Sequence, residues 1–213
     1  MSVSDLTLYV GSTWDSPWSF HAMVAIEEKQ LPYKLEVVQM PIAPEVGAQL
    51  TAKALQPRIP VLVHDGHWIS ESLAISEYLA ERFPFPDYPR LFPADLVERA
   101  RARQVMSWAR TTMRGLREDR PTSNVFGRAN VKPMSAKGKA DADELLYVAG
   151  ALIAPGKTQM FSDWSIADAD MALFLMRMIA ANDPIPKHLV DYAHAQWDRR
   201  SVKRFLAHVP TSK

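Results

Sequence analysis

Residues 58–83 read R-I-P-V-L-V-H-D-G-H-W-I-S-E-S-L-A-I-S-E-Y-L-A-E-R-F, and their order decides the fold. Val61-Leu62-Val63 is a short apolar, β-favouring run. Asp65-Gly66 is the pair that a two-residue type I′ hairpin turn favours, because both central residues need positive φ. Trp68-Ile69 begins a return strand. Glu71-Ser72 opens a helix whose apolar residues Leu73, Ile75, Tyr78, Leu79 and Phe83 recur near helical spacing. The stretch is strand, tight turn, strand, helix.

Two places in it carry chemistry. Pro60 stands directly before a strand, where its missing N–H is tolerated, and an X-Pro bond is the peptide bond that goes cis. A cis Ile59–Pro60 bond would turn the Val61 backbone outward, with its N–H and C=O free to pair with an extended peptide. At Glu71-Ser72 the helix start offers free N–H groups and a positive dipole end to a carboxylate. Glu71 could meet an amine beside that carboxylate. Taken singly, Pro60 also reads as an edge proline and Ser72 as a capping residue. In order, with the hairpin between them, the pattern is more specific.

Upstream, residues 6–10 form a β-favouring run ended by Gly11. After the loop S-T-W-D-S, Ser16 is a natural N-cap and Pro17 a natural first helical residue. That helix is expected to reach about residue 30, and residues 33–38 read as a second strand, parallel to the first across the crossover. Residues 40–57 are the least regular, with one or two helical turns expected over 48–55. The whole order is β-α-β, a variable segment, then β-β-α, which is thioredoxin-like. Redox members of that fold carry a cysteine pair spaced by two residues at the first helix start. Here Ser16 and Ser19 occupy both places. A serine hydroxyl there still donates to a thiolate brought in by a ligand, although a plain helix cap explains Ser16 equally simply. Ser12, Ser19 and Tyr9 are its rivals. His64 and His67 flank the turn and read as solvated residues, a poor metal set without a third ligand.

The chain has 213 residues, 47% hydrophobic content, a net charge of +1 and no cysteine. Such a chain builds a real core. Disulfides, thiolate metal sites and a cysteine nucleophile are excluded, and the charge argues against nucleic-acid or anionic-membrane binding. No signal peptide is visible, and residues 171–181 fall far short of the roughly 20 that a membrane span needs. The expectation is a soluble cytoplasmic protein.

Downstream, Pro84, Pro86, Pro89 and Pro93 end the helix in what reads as a stiff, extended connector. Everything beyond has helical spacing: one helix over 95–118, a loop over 121–133, a helix over 135–153, and a final amphipathic region over 188–209. Between them lies F-S-D-W-S-I-A-D-A-D at 161–170. Ser165 and Asp168 have capping-box spacing ahead of a buried helix over 166–181, with Trp164 placed to staple against Ala169.

R-I-P-V-L followed by E-S-L-A-I, the Ser-Pro helix start and the S-I-A-D cap together resemble the glutathione S-transferase superfamily, in its bacterial serine-type, theta/zeta-like branch. L-Q-P-R-I-P departs from it in lacking the usual glycine before the proline strand. The resemblance implies an α/β thioredoxin-like glutathione-binding domain over 1–84, a proline-rich linker over 85–93 and an all-α helical-bundle domain over 94–213. It implies glutathione as co-substrate, held by Arg58, Ile59, Pro60, Val61, Glu71 and Ser72, and no metal. Val61 pairs with the cysteinyl backbone, Glu71 and Ser72 take the γ-glutamyl amine and carboxylate, and Arg58 approaches the glycyl carboxylate. Ser16 keeps the thiolate ionised for attack on a small electrophile or a peroxide, which would sit near Trp108 and Met113. A homodimer is expected. The alternatives are a non-catalytic interaction module and a glutathione-dependent isomerase.

Overall fold

Strand β1 (Leu6–Gly11) buries Leu6, Leu8 and Val10 and leaves Thr7 and Tyr9 half-buried, the alternation of a pleated strand. The computed structural model describes residues 5–127 and 131–210. The chain divides into two compact units, Met1–Leu91 and Phe92–Lys213.

In the first unit, α1 (Pro17–Glu28) carries the chain from β1 to β2 (Lys34–Val38), which runs parallel to β1 from Thr7↔Lys34 to Gly11↔Val38. Phe20, Ala22, Met23, Val24, Ala25 and Ile26 are all buried, so α1 is apolar around most of its circumference and serves as a core helix. Helix α2 (Pro44–Ala54) precedes the hairpin of β3 (Val61–His64) and β4 (His67–Ser70), and α3 (Ser72–Arg82) closes the unit. The sheet order is β2-β1-β3-β4, with β3 antiparallel to both neighbours. Asp65 (φ 49°) and Gly66 (φ 80°) make the two-residue turn, as the sequence requires. Leu50 and Ala54 of α2 pack on Val61 with Tyr9, Val63 and Trp68 beside them. The other sheet face, with Leu8, Val10 and Leu62, is left to α1 and α3, which pack on each other.

Three local expectations are corrected. Helix α2 runs for 11 residues from Pro44, where one or two turns over 48–55 were expected. Pro44 at the first helical position is the start signal, and Leu55 in the left-handed region (φ 68°) is the stop. His64 is buried, not solvated. Its Nδ1 lies 2.6 Å from Tyr78 Oη, and its ring tilts against Phe83 at 5.5 Å. The proline segment is not extended. Tyr88 N–H bonds back to Pro84 C=O at 3.1 Å, and the Tyr88 ring meets Phe83 edge-on at 5.2 Å.

The second unit is helical: α4 (Leu96–Thr111), α5 (Arg114–Asp119), α6 (Ser123–Phe126), α7 (Ala136–Leu152), α8 (Ile166–Ile179), α9 (Lys187–Trp197) and α10 (Arg200–Leu206). The expected single helix over 95–118 breaks at Thr112-Met113, where Met113 leaves helical geometry (φ −76°, ψ 39°). The loop expected over 121–133 contains α6, and residues 128–130 of it lie outside the described residues. α8 is the core element. Asp168 Oδ2 accepts the Ser165 N–H at 2.9 Å in the expected capping box, and Oδ1 accepts from Met160 N–H and Tyr192 Oη–H, each at 2.8 Å. Trp164 donates its indole N–H to Gln196 at 2.9 Å and so ties α8's start to α9. No helix of the described residues is long and apolar enough to cross a membrane.

Candidate active site

The loop from β1 into α1 is held tightly at both ends. A Cβ on Gly11 would come within 2.8 Å of Ile59 Cδ1 and 3.2 Å of Met40 Cγ, so a side chain here would require those two side chains to shift. Ser12 donates its N–H to Val38 C=O at 2.9 Å and accepts the Met40 N–H on its Oγ at 3.0 Å. Its hydroxyl therefore stitches β1 to the end of β2.

Ser16 then caps α1. It keeps extended geometry (φ −75°, ψ 119°), and its Oγ accepts the Ser19 N–H at 3.3 Å, with Pro17 in the first helical position. The cap uses a lone pair of Ser16 Oγ and leaves its proton available for donation. Ser19 is fully buried, and its Oγ has no accessible surface and no hydrogen-bond partner among the described residues. A hydroxyl sealed in this way cannot meet a ligand. Tyr9 stacks on Trp68 with ring centroids 5.2 Å apart, inside the packing under α2. Of the four hydroxyls weighed from sequence, Ser16 alone combines a helix N-terminus, partial exposure and a proton not needed by the fold.

The Ile59–Pro60 bond is cis. Val61, expected to offer its backbone outward, sits inside the ladder opposite Tyr9 on β1 and Ser70 on β4. Its N–H and C=O face neighbouring strands, so the expectation for Val61 is corrected. Ile59, like Arg58 and Pro60, lies before the first ladder pair and outside any strand, and unlike Pro60 it has an N–H as well as a C=O to offer.

Two features describe the start of α3. Glu71 is the N-cap at φ 67°, ψ 115°, a conformation that costs a non-glycine residue about 1–3 kcal/mol. No side chain caps α3, as at α2, α5, α6, α9 and α10, whereas Ser16, Asp95 and Ser135 accept N–H bonds at the starts of α1, α4 and α7. The first intrahelical bond runs from Ile75 N–H to Glu71 C=O at 2.9 Å, so the amides of Ser72, Leu73 and Ala74 precede it, as at any helix start. Ser72 is buried, while Glu71 and Arg58 are exposed. An uncapped helix start beside a solvent-facing carboxylate suits a ligand bearing both a carboxylate and an amine.

In the helical unit, Trp108 donates its indole N–H to Glu144 at 2.7 Å across a cavity of about 520 Å³ between α4 and α7, which Arg101, Val105, Tyr147 and Leu152 also line. Met113 is fully buried at the α4–α5 break and is not among the residues lining that cavity. Among the described residues, no group of three His, Cys, Asp or Glu could hold a metal ion.

Both halves of the chain match known sequence profiles. Residues 15–82 match the N-terminal domain of glutathione S-transferase, and residues 95–211 match its C-terminal domain. The chain belongs to the glutathione S-transferase family. A solved glutathione transferase homologue from Burkholderia gl BGR1, described with bound glutathione, is similar over 96% of this chain and 97% of its own, at 33% identity and a TM-score of 0.77. The same two-part architecture thus recurs along the length of both. Among curated family relatives, glutathione S-transferase U13 of Arabidopsis thaliana is 34% identical over 48% of this chain and 44% of its own length. A probable maleylacetoacetate isomerase of Caenorhabditis elegans is 36% identical over 44% and 42%. The chain thus spans somewhat under half the length of these two curated relatives.

Proposed function

We propose that this chain is a glutathione transferase that binds glutathione along its first unit and uses Ser16 to keep the thiol ionised for attack on a small electrophile or a peroxide. The supporting observation is the Ser16 hydroxyl, which caps α1 through its oxygen and retains its proton. In this reading the Ile59 backbone takes the cysteinyl part in an extended, strand-like pairing, the role first assigned to Val61. The amides at the start of α3 and the Ser72 hydroxyl take the γ-glutamyl carboxylate, Glu71 takes the amine, and Arg58 approaches the glycyl carboxylate.

The magnitudes fit. A free thiol has a pKa of about 8.5, and lowering it by about two units needs roughly 2.7 kcal/mol of preferential thiolate stabilisation. A hydrogen bond to a charged acceptor contributes about 1.5–3 kcal/mol and a helix N-terminus about 0.3–1 kcal/mol. Ser16 Oγ–H and the end of α1 together reach that sum. The chain contains no cysteine, so the thiolate is the ligand's own and disulfide exchange through a protein thiol is excluded.

The chemistry follows from proton placement. Ser16 donates to the sulfur, the thiolate attacks the electrophilic carbon, and the leaving group departs to solvent. With a hydroperoxide, sulfur attacks the terminal oxygen, the O–O bond breaks, the alkoxide leaves and takes a proton from solvent, and a second glutathione resolves the sulfenic product to glutathione disulfide and water.

The serine-type, theta/zeta-like branch is part of this proposal, as are a cytoplasmic location, a homodimer and a second-substrate position near Trp108. The similarity to a maleylacetoacetate isomerase favours one second reading, glutathione-dependent isomerisation. The deciding experiment is a glutathione titration by calorimetry followed by turnover over electrophile, peroxide and cis-enone panels. Turnover restricted to the enones would favour the isomerase. Binding with no turnover would leave a non-catalytic module, and absence of binding would overturn the proposal.

A further inference from the structure

His64 ends β3 and is only 1% exposed. Its Nδ1 lies 2.6 Å from Tyr78 Oη on α3, and its Nε2 lies 3.5 Å from Asp65 Oδ2 in the hairpin turn. A carboxylate beside Nε2 favours the proton on that nitrogen. The Nδ1 lone pair is then turned to the Tyr78 hydroxyl, which donates to it. Carboxylate, imidazole and hydroxyl stand in the order that activates a nucleophile: a base within hydrogen-bond reach, itself oriented by a third group. The Phe83 ring, tilted against His64 at 5.5 Å, helps fix the imidazole plane. Tyr78 is half-buried and the Asp65 side chain is 50% exposed, so both ends of the arrangement lie nearer the surface than the buried imidazole between them. None of the three residues takes part in the glutathione site proposed above.

We propose that Tyr78 is a nucleophilic phenol that accepts an acyl group from activated aryl esters, with His64 taking its proton and Asp65 positioning the imidazole. Tyr78 Oη attacks the ester carbonyl carbon. The Oη–C bond forms, the bond from carbonyl carbon to aryl oxygen breaks, and a phenolate leaves with that bond's electron pair. The Tyr78 proton passes to His64 Nδ1. The products are O-acyl-Tyr78 and the released phenol, and no further reactant is needed.

The test mixes the full chain, free of glutathione, with p-nitrophenyl acetate. It reads nitrophenolate release by absorbance and the acetylated peptide by mass spectrometry. The expected result is a stoichiometric burst with the acetyl group on Tyr78, lost in Tyr78→Phe. General-base assistance supplies about 10²–10⁴-fold, and Asp65→Asn should forfeit about tenfold of it. Asn suits the first turn position, so the thermal midpoint of Asp65→Asn should hold, and Asp65→Glu should recover part of the rate. Acetyl groups spread over Tyr9, Tyr33, Tyr88 and Tyr147 without preference for Tyr78 would overturn the proposal, as would an Asp65→Asn burst at the unmodified rate. Because glutathione is absent, neither result bears on the glutathione reading.

Discussion

Ser16 Oγ accepts the Ser19 N–H at 3.3 Å while Ser19 Oγ, one helical turn on, is sealed from solvent and hydrogen-bonded to nothing described. The two serines replace the two cysteines of a redox helix start, but the fold leaves only the first one open to a ligand. Ser16→Ala should raise the apparent pKa of bound glutathione by about one to two units, the equivalent of losing one charge-assisted hydrogen bond. Turnover should fall about tenfold or more, and cap loss should lower stability by about 1 kcal/mol. A thiolate absorbance titration of the complex checks the first effect, and Ser19→Ala is the control, with turnover unchanged. Loss of glutathione affinity in proportion to rate would reduce Ser16 to a cap.

Glu71 sits at φ 67° ahead of an uncapped helix, and it makes no capping hydrogen bond of its own. Glu71→Gln should therefore leave the thermal midpoint in place while weakening glutathione binding by about tenfold or more, the value of one hydrogen bond to a charged group. Calorimetric titration reads the affinity. Unchanged binding would remove Glu71 from the site.

Much of this was legible in the chain because the deciding signals are local. Asp65-Gly66 requires its turn, Pro17 after Ser16 opens its helix, and Ser165 with Asp168 forms its cap from side chains three residues apart. What was not legible depends on partners distant in sequence. Val61 looks outward if only its own proline is considered, and it is enclosed once β1 and β4 flank it. His64 looks like a wet turn residue until Tyr78 and Phe83 fold over it. The break at Met113 has no proline or glycine to announce it, and apolar spacing continues through it. The left-handed geometry of Glu71 carries no sequence signal, because glutamate is not a residue that favours it.

Lys29 is fully buried at the end of α1 and donates from Nζ to Phe83 C=O at 2.5 Å, joining the ends of α1 and α3. Burial, helped by the nearby Arg90 charge, pulls its pKa from 10.5 down to about 8. Between those two values the unfolded chain binds more protons than the folded one, so stability rises with pH through that window and is lost again as pH falls through about 8. Urea unfolding of the native chain and of Lys29→Met, compared from pH 7.5 to 10.5 across the window those two values span, checks this. The difference between the two should change with pH in that direction, and a constant difference would mean that the ammonium is not desolvated.

Asp168 is fully buried under four donors: Ser165 N–H at 2.9 Å, Ser165 Oγ–H at 3.3 Å, and Met160 N–H and Tyr192 Oη–H at 2.8 Å. Burial pushes its carboxyl upward and those donors pull it back, while burial and the carboxyl together push the Tyr192 phenol well above its usual range. Asp168→Ala would take the carboxylate acceptor from all four donors and open a cavity, leaving Tyr192 Oη–H only its 3.4 Å contact to the backbone C=O of residue 168. Each unsatisfied buried group costs about 1–3 kcal/mol, so a loss of about 3–5 kcal/mol is expected, enough to endanger a fold that is stable by only about 5–15 kcal/mol. Tyr192→Phe removes one donor without stranding the others, since Asp168 keeps its two backbone partners, and should cost only about 1–2 kcal/mol. In the double variant the Tyr192 deletion should cost less than it does alone, because the carboxylate it served is already gone. Strict additivity in denaturant unfolding would mean that the 2.8 Å contact between Tyr192 and Asp168 contributes no coupling, and that the start of α8 is held by backbone capping alone.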